Sequence, residues 1–211
     1  MTEPTQAPRR SADDFDALLQ QNLSDSIQAK QLLLDDAALR ARFCAAIDAV
    51  VQAYGRGGRL YIAGNGGSAA DAQHLAAEFV SKLANDRDPL PAEALTTDSS
   101  ILTAIGNDYG FEQLFSRQLR AKLGPDDMFL GITTSGRSPN ILRALEACTA
   151  LGRRSIVFAG GDGGPAAQLA DFAIVVPGRR TSTIQELHIT LAHTLCEAVE
   201  CSVAVPIEGP C

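Results

Sequence analysis

The sequence predicts an α/β protein, a three-layer sandwich of the doubly wound type behind a leading helical stretch. Three observations predict it. From Arg59 onward short apolar runs alternate with helical patterns, which implies right-handed β-α-β crossovers and hence parallel strands. The runs are continuously apolar, as strands covered on both faces are. Two turns rich in glycine and hydroxyls follow apolar runs, at the edge where open parallel sheets bind ligands.

Residues 1–11, with two prolines, Arg9-Arg10 and no periodicity, read as a flexible arm. From Ser11 to about Tyr54 apolar residues recur at helical spacing: Phe15, Leu18, Leu19 and Leu23, then Leu39, Phe43, Ile47 and Val50. This stretch, taken as 12–56, braces the domain or builds an oligomer interface. The α/β domain is taken as 57–205. Its strands are expected at Leu60–Ala63, Ala92–Thr97, Met128–Thr133, Ser155–Ala159 and Phe172–Val176. Helices are expected over Ser68–Leu83, over Leu102 to about Leu123 with a turn at Gly106–Gly110, over Pro139–Leu151, in a short piece before Ala170, and from about Thr183 to Val203.

A chain of 211 residues fits one domain with a full core. With 45% apolar and 20% charged residues it is an ordinary globular composition. The net charge of −7 and the lack of a basic tract argue against binding nucleic acid or an anionic membrane. No apolar run approaches the roughly 20 residues of a membrane span, and Met1-Thr-Glu-Pro-Thr lacks the apolar core of a signal peptide. Five cysteines at irregular spacing, without C-x-x-C, predict free thiols in a reducing cytosol.

The first turn is Gly64-Asn-Gly-Gly-Ser68. Its glycines let backbone N–H groups approach a ligand, and Ser68 is expected to cap the next helix with Asp71 at the third position. The letters also satisfy a lax dinucleotide pattern. A nicotinamide site wants an acidic residue about 20 positions on, and Asp98 lies too far along. The second turn is Thr133-Thr-Ser-Gly-Arg-Ser138, followed by Pro139. Ser before Pro is a helix start. Hydroxyls and free N–H groups at a helix N-terminus suit a phosphate monoester. The absence of Gly-Lys-Ser/Thr argues against a nucleotide P-loop.

The only histidines are His74, His188 and His193. His74 and Glu78 share a helix face at i, i+4. On the last helix Gln185 lies about 60° from His188 and about 80° from His193 on the other side. Either histidine could join Gln185, and spacing does not choose. A His, Glu, His set suits zinc, and it equally suits proton transfer between a carboxylate and an imidazole.

Taken together, Gly64 through Phe79, Leu95–Asp98, Leu102–Gly110, Phe115–Gln118, Thr133–Gly136, Ser138–Asn140 and Ile184–His188 resemble the signature of the sugar isomerase (SIS) domain family. The match runs over about residues 12–203. The resemblance implies a five-stranded parallel sheet of flavodoxin-like order and a homotetramer with sites between subunits. It also implies aldose–ketose isomerisation of a seven-carbon sugar phosphate, sedoheptulose 7-phosphate, toward ADP-heptose of the lipopolysaccharide core, in the cytoplasm. Sugar contacts would be Asn65, Gly66, Gly67, Asn107 and Asp108. Phosphate contacts would be Thr133, Thr134, Ser135 and Ser138. Zinc ligands would be His74, Glu78, Gln185 and His193, which selects His193 over His188, and Gln185 would also touch substrate. Glu78 would move the proton between carbons and His193 would serve the oxygens. The family often has a basic residue where Thr183 stands; Arg179 and Arg180 are the nearby cations. The alternatives are a non-catalytic member of the fold that binds the replication initiator DnaA, or another phosphosugar-binding regulator. The family pattern implies that the DnaA-binding relative lacks the groups found here at Glu78 and His193.

Overall fold

The computed structural model describes residues 11–203. Five parallel strands, β1 (Leu60–Gly64), β2 (Ala92–Ala94), β3 (Met128–Thr133), β4 (Ser155–Gly160) and β5 (Phe172–Val176), form one sheet in the order β2-β1-β3-β4-β5. The register pairs Leu60 with Ala92 on one side and with Met128 on the other. The strand order reverses between β1 and β3, and the two ligand-type turns leave the sheet at the ends of those two strands.

Alternation along the strands builds two cores. Leu60, Ile62, Leu130, Ile132, Ile156 and Phe158 face α2 (Ala37–Gly55), α3 (Gly67–Val80) and α8 (Thr181–Val203). Tyr61, Ala63, Phe129 and Val157 face α4 (Ser99–Tyr109), α5 (Leu114–Lys122), α6 (Pro139–Leu151) and α7 (Ala166–Leu169). The leading helix α1 (Ala12–Asp35) packs on α2 and α8. The expected three-layer sandwich with five parallel strands is present.

Boundaries differ where local hydrogen bonds compete with the pattern. The leading stretch is two helices, because Asp36 leaves helical geometry and its side chain accepts from Leu39 N–H at 2.8 Å. Ser11 opens α1 through a reciprocal capping box with Asp14; residues 1–10 of the expected arm, and the chain after Val203, lie outside the described residues. Strand β2 stops at Ala94, short of Thr97, because Thr97 turns its hydroxyl onto the Ala94 carbonyl and Asp98 caps α4. The turn expected at 106–110 is helical to Tyr109. Burial of Ile105 outweighs the roughly 1 kcal/mol cost of Gly106 in a helix, and the break falls at Gly110, with φ at +87°. Cys44, Cys148 and Cys196 are free thiols. Cys201 is disulfide-bonded, which corrects the all-thiol expectation. Among the described residues no helix is long and apolar enough to cross a membrane.

Candidate active site

Helix α3 starts directly from β1. Its first helical residue is Gly67, with Gly66 before it at φ +56°. Ser68 therefore does not cap the helix; it is the second helical residue, buried, and no side chain caps the start. Gly66 and Gly67 are exposed, which leaves their backbone open to a ligand. Gly67, Asp71, His74 and Glu78 follow one another down one face of α3, at spacings of three and four residues.

That face meets α8. His74 Nε2 lies 3.0 Å from His193 Nε2 and 3.0 Å from Glu78 Oε1, and His193 Nε2 lies 3.5 Å from the same carboxylate oxygen. At this distance one ring N–H donates to the other ring nitrogen, the tautomers setting which. Glu78 Oε2 is buried and has no hydrogen-bond partner among the described residues. One turn earlier, burial pushes the Asp71 carboxyl above its usual range, while His74 and His193 pull it down.

His188 takes no part in this cluster. It is buried against the sheet, with Nε2 3.2 Å from the Ala159 carbonyl oxygen and its ring beside Phe158. Burial holds its pKa down at about 4, below the ordinary 6.5. The native state therefore keeps it neutral, and the stability this contributes is full above pH 6.5 and lost as pH falls toward 4. A shift of this size corresponds to about 3 kcal/mol. Replacing His188 with glutamine, which does not titrate, should flatten the fall in urea midpoint between pH 7.5 and 4.5. An equally steep fall in the variant would assign the acid sensitivity elsewhere.

Gln185 occupies a separate level of the α3–α8 contact. A Cβ on Gly67 would stand 2.3 Å from Gln185 Nε2, so the amide lies on the opening turn of α3. Thr183, in the position where a cation was of interest, is buried. Arg180 bonds Asn22 and lies 3.9 Å from Asp25, both on α1.

The second turn is shaped by internal bonds. Thr133 Oγ1 and Ser138 Oγ are 3.0 Å apart, and Ser135 Oγ accepts from Arg137 N–H at 3.2 Å. Ser138 is the N-cap position of α6 and Pro139 follows it, but the hydroxyl serves Thr133 and not the helix N–H groups. Thr134 is half-buried and Ser135 exposed. Arg137 forks onto Asp162 with two 2.7 Å bonds and joins this turn to the one after β4. Across the sheet's reversal point Asn65 and Asn140 exchange two amide bonds of 2.9 and 2.8 Å. The two ligand turns are thereby locked together, and one donor and one lone pair of the Asn65 amide are left over. Sequence reasoning gave Asn140 no role; its pairing partner is 75 residues away.

Asn107 and Asp108 do not join the cluster. They are exposed on α4, bonded to each other at 2.8 Å, in the layer across the sheet from α3 and α8. Within one chain the structure brings together His74, Glu78 and His193, and separately locks the two turns to each other.

A parallel sheet reversing at β1/β3, with hydroxyl and glycine turns at that reversal, is the arrangement of a sugar-phosphate-handling SIS domain, and the SIS domain profile matches residues 28–176. Phosphoheptose isomerase of Aneurinibacillus thermoaerophilus is 48% identical over 182 residues, 86% of this chain and 92% of that protein. The phosphoheptose isomerase of Aquifex aeolicus is 56% identical over 144 residues, 68% of this chain and 75% of that protein. The solved phosphoheptose isomerase GmhA from Neisseria gonorrhoeae superposes with a TM-score of 0.82 at 40% identity, covering 88% of this chain and 98% of that one. The chain belongs to the SIS domain family and, within it, to the phosphoheptose isomerases, and it is an isomerase.

Proposed function

We propose that the chain interconverts sedoheptulose 7-phosphate and D-glycero-D-manno-heptose 7-phosphate, in the cytoplasm, at the head of the route to ADP-heptose and the lipopolysaccharide core. The observation that carries this reading is the contact of Glu78 and His193, from two different helices, in a chain whose sheet also carries two turns suited to a sugar phosphate. Phosphate would sit on Thr133, Thr134, Ser135 and Ser138, at the positive end of α6. Its binding energy orients the distant reacting carbons.

The reaction moves one hydrogen between neighbouring carbons. Glu78 takes a proton from C1 of the open-chain ketose, and its electron pair forms the C1–C2 double bond. His193 donates a proton to O2, which gives the enediol. Glu78 then returns its proton to C2 while the O1 proton passes back to His193, leaving the C1 aldehyde. The unpartnered Glu78 Oε2 is the oxygen available for the carbon-bound proton, since Oε1 already faces both imidazoles. Asn65, Gly66 and Gly67 would hold the sugar hydroxyls.

Zinc, one ion per subunit, fits the donor set. Imidazole nitrogen and carboxylate oxygen are ordinary zinc ligands. The three candidate ligand atoms of His74, Glu78 and His193 lie 3.0, 3.0 and 3.5 Å from one another. The resemblance adds Gln185 as fourth ligand and substrate contact; its amide lies on the opening turn of α3, apart from these three atoms, so its place in the set rests on the resemblance alone. Bound there through His193 Nε2, the ion would supply positive charge that favours carbonyl polarisation, and Nδ1 would be the His193 nitrogen left to exchange a proton.

A homotetramer with sites between subunits is supported by α1. Phe15, Leu19, Leu23 and Ile27, four residues apart, are 58%, 55%, 54% and 68% exposed. An exposed apolar stripe of this kind marks an interface, and a second copy of the chain is its proposed occupant. Asn107 and Asp108 would then act in a neighbour's site. A Leu19→Glu, Ile27→Glu double variant should elute in light scattering at less than the tetramer mass with its circular dichroism intact. An unchanged mass would exclude α1 as the contact.

The direct test supplies the ketose phosphate in heavy water to metal-replete and to chelated protein. Aldose carrying deuterium at C2 is the expected product. Aldose formed with no label from solvent would rule out an exchangeable proton on Glu78, and no aldose at all would reject the reading.

A further inference from the structure

Helices α3 and α8 run side by side in the same direction and meet at three successive levels. Gly67 meets Gln185, His74 meets His193, and the end of α3 meets Glu200 through Arg87. The third level is an ion pair shut away from solvent: the Arg87 side chain is 3% exposed and that of Glu200 0%. Arg87 Nη2 and Nε lie 2.9 and 3.1 Å from Glu200 Oε1. The same guanidinium donates to the backbone carbonyls of Glu78 at 2.9 Å and Phe79 at 2.8 Å. Glu200 in turn accepts the N–H groups of Leu83, Ala84 and Asn85 at 2.8, 3.1 and 3.3 Å.

We propose that Arg87 and Glu200 are positioning residues for the isomerase reaction, fixing the register of α3 against α8 and thereby the distance from Glu78 to His193. This rests on the reading of Glu78 and His193 as the reacting pair. Arg87 holds the main chain at Glu78 itself. Glu200 is seven residues after His193, two turns along the same face of α8 and about 10 Å down its axis. One ion pair therefore grips the backbone supports of both reacting groups.

The chemistry of the contact suits that task better than it suits stability. A buried ion pair often contributes no more than an apolar pair of the same volume. Apolar surfaces, however, slide over one another at little cost. A carboxylate with three backbone donors and a guanidinium has a single geometry, since any shift along the axis strips charge-assisted bonds in a buried place. The end of α3 has no glycine cap; Ser81 closes it with one N–H bond to the Ala77 carbonyl. The open carbonyls there are taken by Arg87, so the helix end and the cross-link to α8 are a single device.

The test uses the full-length, zinc-loaded protein with Arg87→Lys and Glu200→Asp, both of which keep the charge and change the reach. Leu119→Ala, in the opposite layer, serves as a control for lowered melting temperature. Kinetics with sedoheptulose 7-phosphate and zinc affinity by chelator competition are measured where circular dichroism shows every protein folded. Each positioning variant should lose about 10- to 100-fold in kcat and in zinc affinity, with KM within about twofold of wild type. The control should lose melting temperature alone. Positioning variants that match the control, with kcat and zinc affinity retained, would overturn the proposal. If the wild type binds zinc but does not turn over this substrate, the functional reading fails while zinc affinity still decides the register role. A wild type that does neither sinks both.

Discussion

Glu78→Gln should lower turnover by at least about 10³-fold while sugar-phosphate affinity stays within a few-fold of wild type. General acid–base catalysis by one positioned group contributes about 10²–10⁴-fold, and here the same carboxylate would both remove and return the carbon-bound proton, so both halves of the reaction lose it. Glutamine keeps the volume and an oxygen near the two imidazoles, and no residue of the phosphate-type turn changes. The expected split, a collapsed kcat with a retained ligand constant, separates loss of chemistry from loss of the site. Binding is read by calorimetry with the ketose phosphate, and turnover by proton exchange in heavy water. Near-normal exchange in the variant would remove Glu78 from the base role. The nearest unassigned carboxylate on that helix face would be Asp71, whose Oδ2 is buried and unpartnered among the described residues.

Gly136→Ala should destabilise the fold by at least about 3 kcal/mol and weaken phosphate binding with it. Two costs coincide at this position. Gly136 has φ of +65°, where a side chain is strained, and a Cβ would sit 2.0 Å from the Gly163 carbonyl oxygen and 2.9 Å from Gly164 N. The opposing atoms are backbone, so no rotamer relieves the contact. The Gly136 carbonyl also accepts from Ala166 N–H at 3.1 Å, so the turn cannot simply lift away. Gly161 is the internal control. It shares the left-handed conformation, φ +63°, but among the described residues nothing lies within 4 Å of an added Cβ, so Gly161→Ala should cost only the strain, about 1–2 kcal/mol. Urea unfolding of both variants compares them. Equal losses would mean that the two turns do not meet as closely as described.

Much of this architecture was legible in the chain itself. Continuous apolar runs placed all five strands within a residue or two, apart from β2. There the expected last residues, Thr96 and Thr97, are β-branched and read as strand, yet the Thr97 hydroxyl finds a closer partner in the Ala94 carbonyl. Helical period predicted α6 to the residue, because Ser138, Pro139 and Gly152 punctuate it at both ends. Ser68 misled, because serine after glycines reads as a cap, whereas β1 feeds α3 through Gly66 with no side-chain cap at all. The locks between elements were not legible. Asn65 with Asn140 and Arg87 with Glu200 join residues 75 and 113 positions apart, and such pairs leave no periodic trace.

The choice between His188 and His193 divides the two sources of information most sharply. Spacing along α8 established that both histidines lie within reach of Gln185 in angle, and composition established that these are nearly all the imidazoles the chain has. Which one faces Glu78 depends on how α8 is rotated about its own axis. Leu187, Leu191 and Leu195 are buried in the core formed with the sheet, and burying them turns His188 onto Ala159 and Phe158 and sends His193 outward to α3. Rotation is set by the summed apolar contact of a whole helix face with its neighbours, a quantity that exists only once the layers have packed.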